Sequence, residues 1–296
     1  MAAQILSGDD VARQMRREMK EEVARLQADS GVVPGLAVVL VGDNPASISY
    51  VTGKEKACAE VGIRSVPHKF DADLSEAALL ALIGQLNADP AIHGILIQLP
   101  LPRQIDESRV LLAIDPSKDV DGFHPVNLGK MLIGQECFLP CTPHGVQQLL
   151  LRSGVPIEGR HVVVVGRSNI VGKPVANILF QKQPGANATV TICHTGTPDM
   201  GYFTRQADIL IVAAGRPNTV TADMVREGAV VVDVGVNRVP DASRKSGFRL
   251  VGDVDYAGVS AKASAISPVP GGVGPMTITM LLYNTIRSAK AFHQAA

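Results

Sequence analysis

The stretch VVVVGRSNIVGKPVA, residues 162–176, decides the fold class. Four valines in a row, branched and apolar without interruption, read as a strand covered on both faces. Gly166 lets the chain turn out of that strand, and Lys173 and Pro174 mark the start of a helix, where proline fits the first turn. A buried strand that turns on glycine into a helix opens a parallel α/β unit. In such a unit the helix N-terminus presents free N–H groups and its dipole to a ligand, preferably a phosphate. The glycines stand at 166 and 172, so the G-x-G-x-x-G dinucleotide fingerprint is absent and an ordinary strand-to-helix turn stays open as the alternative.

Outward from this turn the pattern repeats. Downstream, strands are expected at 188–194, 208–215 and 229–235, with helices between the first ones and a short helix in TADMVREG before the last. Upstream lies a separate series: a helix over 9–30 ending at Gly31, a strand at 36–42, a helix at 49–62, a short strand in RSVPHKF, a helix at 75–89 and a strand at 93–99. Alternation of this kind implies parallel strands joined by crossover helices. The Pro- and Gly-bearing stretch 115–143 separates the series. The expected architecture is therefore two α/β domains, each with a mainly parallel sheet and flanking helices, the second Rossmann-like, with a cleft between them. Residues 1–143 form one domain, completed by a C-terminal helix over 275–296 whose apolar Ile278, Leu281, Leu282 and Ile286 need a partner; residues 144–274 form the other.

Composition narrows the function classes. In 296 residues, 46% hydrophobic and 19% charged, the chain is globular and long enough for a sizeable core. Lys+Arg and Asp+Glu number 28 each, so no net field draws the protein to nucleic acid or to a membrane surface. No apolar run approaches a membrane span and the N-terminus lacks a signal pattern, which points to the cytoplasm. The 4 cysteines are too scattered for a disulfide framework. CFLPCTPH places Cys137, Cys141 and His144 close together, but a structural zinc site wants four ligands at tighter spacing, and buried small hydrophobes beside a helix-start histidine explain the run better.

Several polar residues stand where open α/β sheets place ligands. The strand after the glycine turn ends CHTGT, without the carboxylate that usually bonds the ribose hydroxyls of NAD, whereas Arg167 and Ser168 offer a cation and a hydroxyl suited to a 2′-phosphate. NADP is favoured over NAD, with a solvated loop arginine as the alternative reading of Arg167. Tyr50 and Lys54 are four apart on a helix and share a face; taken alone they read as a solvated pair. Gln98 ends a strand at the carboxyl edge. Asp119 and Asp121 flank a turn, for which Asp before Gly is ordinary chemistry.

Taken in order, PASISYVTGKEKAC, ILIQLPLP, KDVDGFHPVNLG, PCTPHGV, GRSNIVGKP and PGGVGPMT resemble the bifunctional methylenetetrahydrofolate dehydrogenase/methenyltetrahydrofolate cyclohydrolase family over about residues 35–285. The resemblance implies NADP on the second domain, tetrahydrofolate derivatives in the cleft, and a homodimer. It also implies Lys54 as the catalytic lysine, Gln98 as its support, Asp121 as the pterin anchor and Tyr50 as a stacking ring. Pro270, Gly271 and Gly272 would approach the substrate, while Gly166, Arg167, Ser168, Thr195 and Val236 would contact the cofactor. Many relatives carry HSRT or HSKT where this chain has HTGT, so Gly196 replaces a basic residue near the adenosine phosphate.

The implied chemistry suits these groups. A carboxylate offers two acceptors to the paired donors of a pterin edge. An amine can take a proton only when neutral; burial, a cationic substrate and nearby Lys56 are expected to lower the pKa of Lys54. His124 and His144, in Pro-rich turns, read as structural hydrogen-bonding residues. The scheme needs no metal. Two other readings fit a two-domain nucleotide-binding protein: a dehydrogenase of another small substrate, and a sensor that binds nucleotide without turnover. Retention of Tyr50, Lys54, Gln98 and Asp121 together argues against the sensor.

Overall fold

In the computed structural model, which describes residues 3–244 and 247–295, the chain divides into two compact units. The first is Arg13–Cys141 with Ile278–Ala296, the second Met1–Ala12 with Thr142–Thr277. β1 (Gln4–Ile5) leads into α1 (Gly8–Ser30), whose buried Val11, Met15, Met19 and Val23 recur at helical spacing. The helix stops at Gly31, held at φ 73°, a left-handed conformation that glycine adopts without penalty.

The first unit is built on β2 (Gly35–Val41), α2 (Pro45–Val61), β3 (Arg64–Phe70), α3 (Glu76–Ala88) and β4 (Gly94–Ile97). Its sheet has the order β3-β2-β4 and is parallel throughout. Every residue of β2 is buried, which is why that strand reads as an unbroken apolar run. α3 starts on Ser75, whose hydroxyl accepts from the Ala78 N–H. Its Leu79, Ile83 and Leu86 share one core with Ala37, Val39, Ile95 and Ile97, each large side chain contributing about 1.5–3 kcal/mol by burial.

Beyond β4 the structure holds more than the separator expected at 115–143. α4 (Glu107–Ala113) is capped by the Asp106 carboxylate, which accepts from the Ser108 and Arg109 N–H groups. α5 (Pro125–Leu132) lies inside the supposed separator and is capped by His124 Nδ1, which accepts from Val126 N–H. Helices of two turns are too short to display a 3.6-residue period.

The second unit continues with α6 (Cys141–Arg152), β5 (His161–Val165), α7 (Gly172–Phe180), β6 (Thr189–Cys193), α8 (Met200–Thr204) and β7 (Ile209–Val212). His144 is thus one turn inside α6 and not at its start. The helix expected in TADMVREG is a 3₁₀ turn over Ala222–Met224. Then come β8 (Val230–Asp233), β9 (Asn237–Pro240), β10 (Phe248–Val251), α9 (Tyr256–Ser260), β11 (Ala265–Ile266) and α10 (Val273–Ala295). The six-stranded sheet has the order β1-β11-β8-β7-β5-β6, every pairing parallel. β9 and β10 form a separate antiparallel pair.

The two ends of the chain each group with the unit that lies farther away in sequence. β1 pairs with β11, so the first dozen residues group with the second unit, whereas the sequence reading set them in the first domain; a two-residue strand gives no pattern. From Ile278 onward α10 belongs to the first unit. There the Asn284 side-chain amide donates to the Val120 and Leu139 carbonyls, and the Ser288 hydroxyl donates to the His93 carbonyl.

Candidate functional site

In the first unit the chain turns on β2: α2 leads to β3 on one side, and α3 leads back across to β4 on the other. The carboxyl edge at such a reversal is where open sheets bind ligands. Gln98 stands there, one residue past β4, its backbone N–H donating to the Val39 carbonyl. Its side chain is fixed from two directions. Nε2 donates to the Leu99 carbonyl at 2.8 Å, which leaves Oε1 to accept from Lys54 Nζ at 3.0 Å.

Lys54 lies on α2 and is only 8% exposed, an unusual position for an amine. Burial lowers its pKa, opposed by Asp121 and more weakly by the Cys141 and Cys58 thiols. Lys56, expected to share in that shift, has no part in it: two residues along the helix places it on another face, exposed to water. Tyr50, one turn before Lys54, is 41% exposed, with its ring available to a flat ligand.

The turn KDVDGFH separates its two carboxylates by role. Asp119 is spent on the turn: it accepts from the Gly122, Phe123 and His124 N–H groups and from Asn127 Nδ2. Asp121 is therefore the carboxylate left facing Lys54. Desolvation of its carboxyl pushes its pKa up, the Lys54 charge pulls it down, and Asp119 adds to the rise. The turn is held tightly, since a side chain at Gly122, where φ is 80°, would run into the Leu139 carbonyl and Pro140 nitrogen.

Cys141 is the member of this cluster that the sequence did not reveal. Its thiol donates to the Val120 carbonyl at 3.3 Å, its N–H donates to the Asp121 carbonyl, and burial pushes its pKa well up. A neutral thiol beside Asp121 was readable only from three-dimensional contact. Cys58 likewise is pushed up to about 12 by burial. Among the described residues no three His, Cys, Asp or Glu side chains gather to hold a metal. His124 is occupied as a cap, and His144 is buried against Gln148 at 3.5 Å.

The second unit carries the other predicted residues. β5 is followed by α7 and β6 on one side, and the chain then crosses to β7 on the other, so the order reverses at β5. Gly166 leaves β5 at φ 128°, and any Cβ there would strike the Ala213 carbonyl. At Gly172 a Cβ would strike the Gly166 carbonyl. The turn is thus a backbone-lined cradle at the N-terminus of α7, whose Lys173 N–H donates to the Ser168 carbonyl. Arg167 is exposed beside it. The Ser168 hydroxyl accepts from the Val171 N–H at 3.1 Å and the Gly172 N–H at 3.4 Å, which leaves its own proton free to donate.

β6 pairs with β5 in register, Val165 opposite Cys193, so Thr195 lies beside this cradle along the sheet. The turn that follows is self-bonded: the His194 N–H donates to Thr197 Oγ1 and the Gly196 N–H to His194 Nδ1, both at 3.0 Å. Val236 follows β8 and is 49% exposed. Pro270, Gly271 and Gly272 also belong to the second unit, where the Gly271 carbonyl accepts from the Asp9 N–H and a Cβ at Gly8 would collide with Gly272.

Comparison with known proteins decides the family. The profile of the tetrahydrofolate dehydrogenase/cyclohydrolase catalytic domain matches residues 6–121, and that of the NAD(P)-binding domain of the same family matches residues 140–293. The chain belongs to the tetrahydrofolate dehydrogenase/cyclohydrolase family. Among its relatives, the bifunctional protein FolD of Syntrophus aciditrophicus is 61% identical over 290 residues, 98% of each chain. The crystal structure of the FolD methylenetetrahydrofolate dehydrogenase/cyclohydrolase of Campylobacter jejuni superposes with a TM-score of 0.92 at 50% identity, covering 98% of this chain and 99% of that one. The Trypanosoma brucei dehydrogenase-cyclohydrolase, solved with NADP and an inhibitor, gives 0.92 at 41% identity, covering 98% of each chain. Within this family the two clusters above fall one in each matched domain: Lys54, Gln98 and Asp121 in the catalytic domain, and the Gly166 cradle in the NAD(P)-binding domain.

Proposed function

We propose that Lys54, Gln98, Asp121 and Tyr50 carry out, on one bound folate, the two reactions of this bifunctional enzyme: NADP-dependent oxidation of 5,10-methylenetetrahydrofolate to 5,10-methenyltetrahydrofolate, and hydrolysis of that cation to 10-formyltetrahydrofolate. The observation that carries the assignment is the buried Lys54 amine held by Gln98 Oε1 with Asp121 beside it. NADP, when bound, accepts the hydride that leaves the one-carbon bridge. The Gly166 cradle, Arg167, Ser168, Thr195 and Val236 hold it.

Orientation is the main demand of the first reaction. Asp121 offers two acceptors to the pterin N–H edge, and Tyr50 stacks on the aminobenzoyl ring for about 1 kcal/mol beyond its burial. Pro270, Gly271 and Gly272 bring backbone to the substrate. In the second reaction a water oxygen bonds to the bridge carbon. Neutral Lys54 accepts the proton that this water loses, and the bond to one ring nitrogen then breaks as that nitrogen is protonated and the remaining hydroxyl gives up its proton to become the formyl C=O. Gln98 aims the Lys54 lone pair by accepting from one of its N–H groups.

The test uses one purified sample: NADPH formation with 5,10-methylenetetrahydrofolate, then decay of 5,10-methenyltetrahydrofolate without cofactor. Both signals are expected. Loss of the second alone would leave a monofunctional dehydrogenase, and absence of both would remove the reading.

The ribose end is proposed to read the 2′-phosphate through Arg167 and Ser168 without a cation at Gly196. In Gly196→Lys the added Cβ comes to 3.2 Å from the His194 ring, which must shift by a few tenths of an ångström to admit it. One charge-assisted contact is worth about 1.5–3 kcal/mol. The ratio of kcat/KM for NADP over NAD is therefore expected to rise about tenfold; an unchanged ratio would move the 2′-phosphate away from this turn. The enzyme is further proposed to be a cytoplasmic homodimer, as the family resemblance implies. No described helix is long and apolar enough to cross a membrane. The balanced charge gives nucleic acid no hold.

A further inference from the structure

Two carboxylates that the chemistry above leaves unused lie at the carboxyl edge of the second sheet, Asp233 at 2% and Asp253 at 0% exposure. Among the described residues, neither pairs with a cation. Instead each is satisfied by N–H donors. Asp253 Oδ2 accepts from the Ala214 and Gly215 backbone N–H groups, each at 2.7 Å, and its Oδ1 accepts from Asn237 Nδ2 at 2.8 Å. Asp233 Oδ1 accepts from the Gly235 and Asp253 N–H groups at 2.9 Å, and its Oδ2 from the Val254 N–H at 3.0 Å. The Asp253 carbonyl in turn accepts from the Thr219 N–H at 2.7 Å.

These bonds converge on two loops. Ala214 and Gly215 form the turn that leaves β7, and Gly235 and Val236 lie in the one that leaves β8 and enters β9 at Asn237. Both turns are open to solvent at Ala214, Gly215 and Val236, while the carboxylate beneath them is sealed. Space for it is made by glycine. A Cβ at Gly235 would overlap the Asp253 carboxyl, and a Cβ at Gly252 would overlap the Asp233 carboxyl. Two small residues on two strand ends thus leave room for two buried charges, an arrangement that hydrophobic packing alone gives no reason to build.

The position matters for the cofactor. The Gly166 cradle and Thr195 occupy the ends of β5 and β6, on one side of the reversal, so the remainder of a dinucleotide extends over the ends of β7 and β8. We propose that Asp253, seated on Asp233, is a positioning residue that sets the backbone of the β7 and β8 exit turns for the nicotinamide half of NADP. It acts through Ala214, Gly215 and Val236 and makes no contact with the cofactor itself. A single acceptor tied to both turns fixes their separation, which separate bonds to solvent would leave free. This inference rests on the NADP reading given above.

The test compares the parent chain with Asp253→Asn and Asn237→Ala by NADPH equilibrium binding, followed by nicotinamide fluorescence, and by cofactor-free cyclohydrolase rate. The parent is expected to bind NADPH; if it does not, the NADP reading itself falls and the brace with it. Asp253→Asn keeps the shape but can accept through only one oxygen, and should weaken NADPH binding about tenfold while cyclohydrolase stays within twofold. Asn237→Ala, which removes one donor from the edge of the network, should weaken binding about threefold with the same selectivity. Unchanged NADPH affinity in both variants overturns the proposal, as does a parallel fall of binding, cyclohydrolase and melting temperature. Should Asp253→Asn not fold, Asn237→Ala decides alone: a selective loss of NADPH affinity upholds the brace, and parent-like affinity removes it.

Discussion

Replacing Lys54 by methionine lowers the cofactor-free hydrolysis of 5,10-methenyltetrahydrofolate by about a thousandfold, while NADPH affinity stays within about twofold of the parent. The size follows from the usual contribution of a positioned general base, roughly 10²- to 10⁴-fold. Methionine fills the stem volume of lysine, so α2 keeps its packing and Gln98 loses only one donor. Selectivity follows from place, since Lys54, Gln98 and Asp121 all lie in the first unit and the proposed NADP cradle lies in the second. The pH profile carries the same signature. The neutral amine is the active form, and its fraction rises with pH. Burial lowers the Lys54 pKa from 10.5, so the rising limb of the hydrolysis rate sits below the ordinary lysine range. Because the folded pKa lies below the unfolded one, the folded state binds fewer protons between the two. Stability therefore rises with pH across that window, and Lys54→Met removes this slope. A variant that hydrolyses at the parental rate, or a parent whose limb sits at ordinary lysine pH, would take the base assignment away from Lys54.

The parts of the fold visible in sequence are those where burial is two-sided. β2 and β5 announce themselves as apolar runs, and the Gly31 stop of α1 and the Gly166 turn are positions that glycine alone satisfies easily. Elements whose stability comes from caps or distant pairing are not visible as periodicity. α5 stands on a His124 cap and Pro125, signals that were present in HPVN but are masked by the prolines around them. β1 exists because it pairs with β11, 261 positions apart from Gln4 to Ala265, and β11 is itself held against β8. The β9 and β10 strands are four residues each, and β9 carries Pro240, so neither is long enough to stand out by alternation.

The site divides in the same way. Helical spacing places Tyr50 and Lys54 on one face, and strand position places Gln98 at an edge, but the 3.0 Å bond joining Lys54 to Gln98 spans 44 positions and has no local signature. Spacing could not separate Asp119 from Asp121 either. Only the count of N–H donors around Asp119 shows that one carboxylate builds the turn and so frees the other. The Asp253 brace lay further out of reach, because its logic is carried by backbone N–H groups, which are the same for every sequence.

Gly172→Val is expected to weaken NADPH binding by a hundredfold or more and to leave cofactor-free cyclohydrolase activity within about threefold. A Cβ at this position overlaps the Gly166 carbonyl and comes to 2.8 Å from the Arg167 nitrogen, both of them backbone atoms that cannot rotate aside. The β5 to α7 turn must therefore open, and with it Arg167 and the Ser168 hydroxyl, which is held by the Val171 and Gly172 N–H groups, lose their aim. Loss of two hydrogen bonds to a charged phosphate, at about 1.5–3 kcal/mol each, amounts to a factor of about 10² to 10⁴ in affinity. The control is Gly84→Ala in α3, where an added Cβ meets nothing within 4 Å. There the change removes a flexible residue from a helix interior and should raise stability by about 0.5–1 kcal/mol with both activities intact. If Gly172→Val bound NADPH like the parent, the phosphates would lie elsewhere, and the reading of GRSNIVGKP as the cofactor turn would have to be given up.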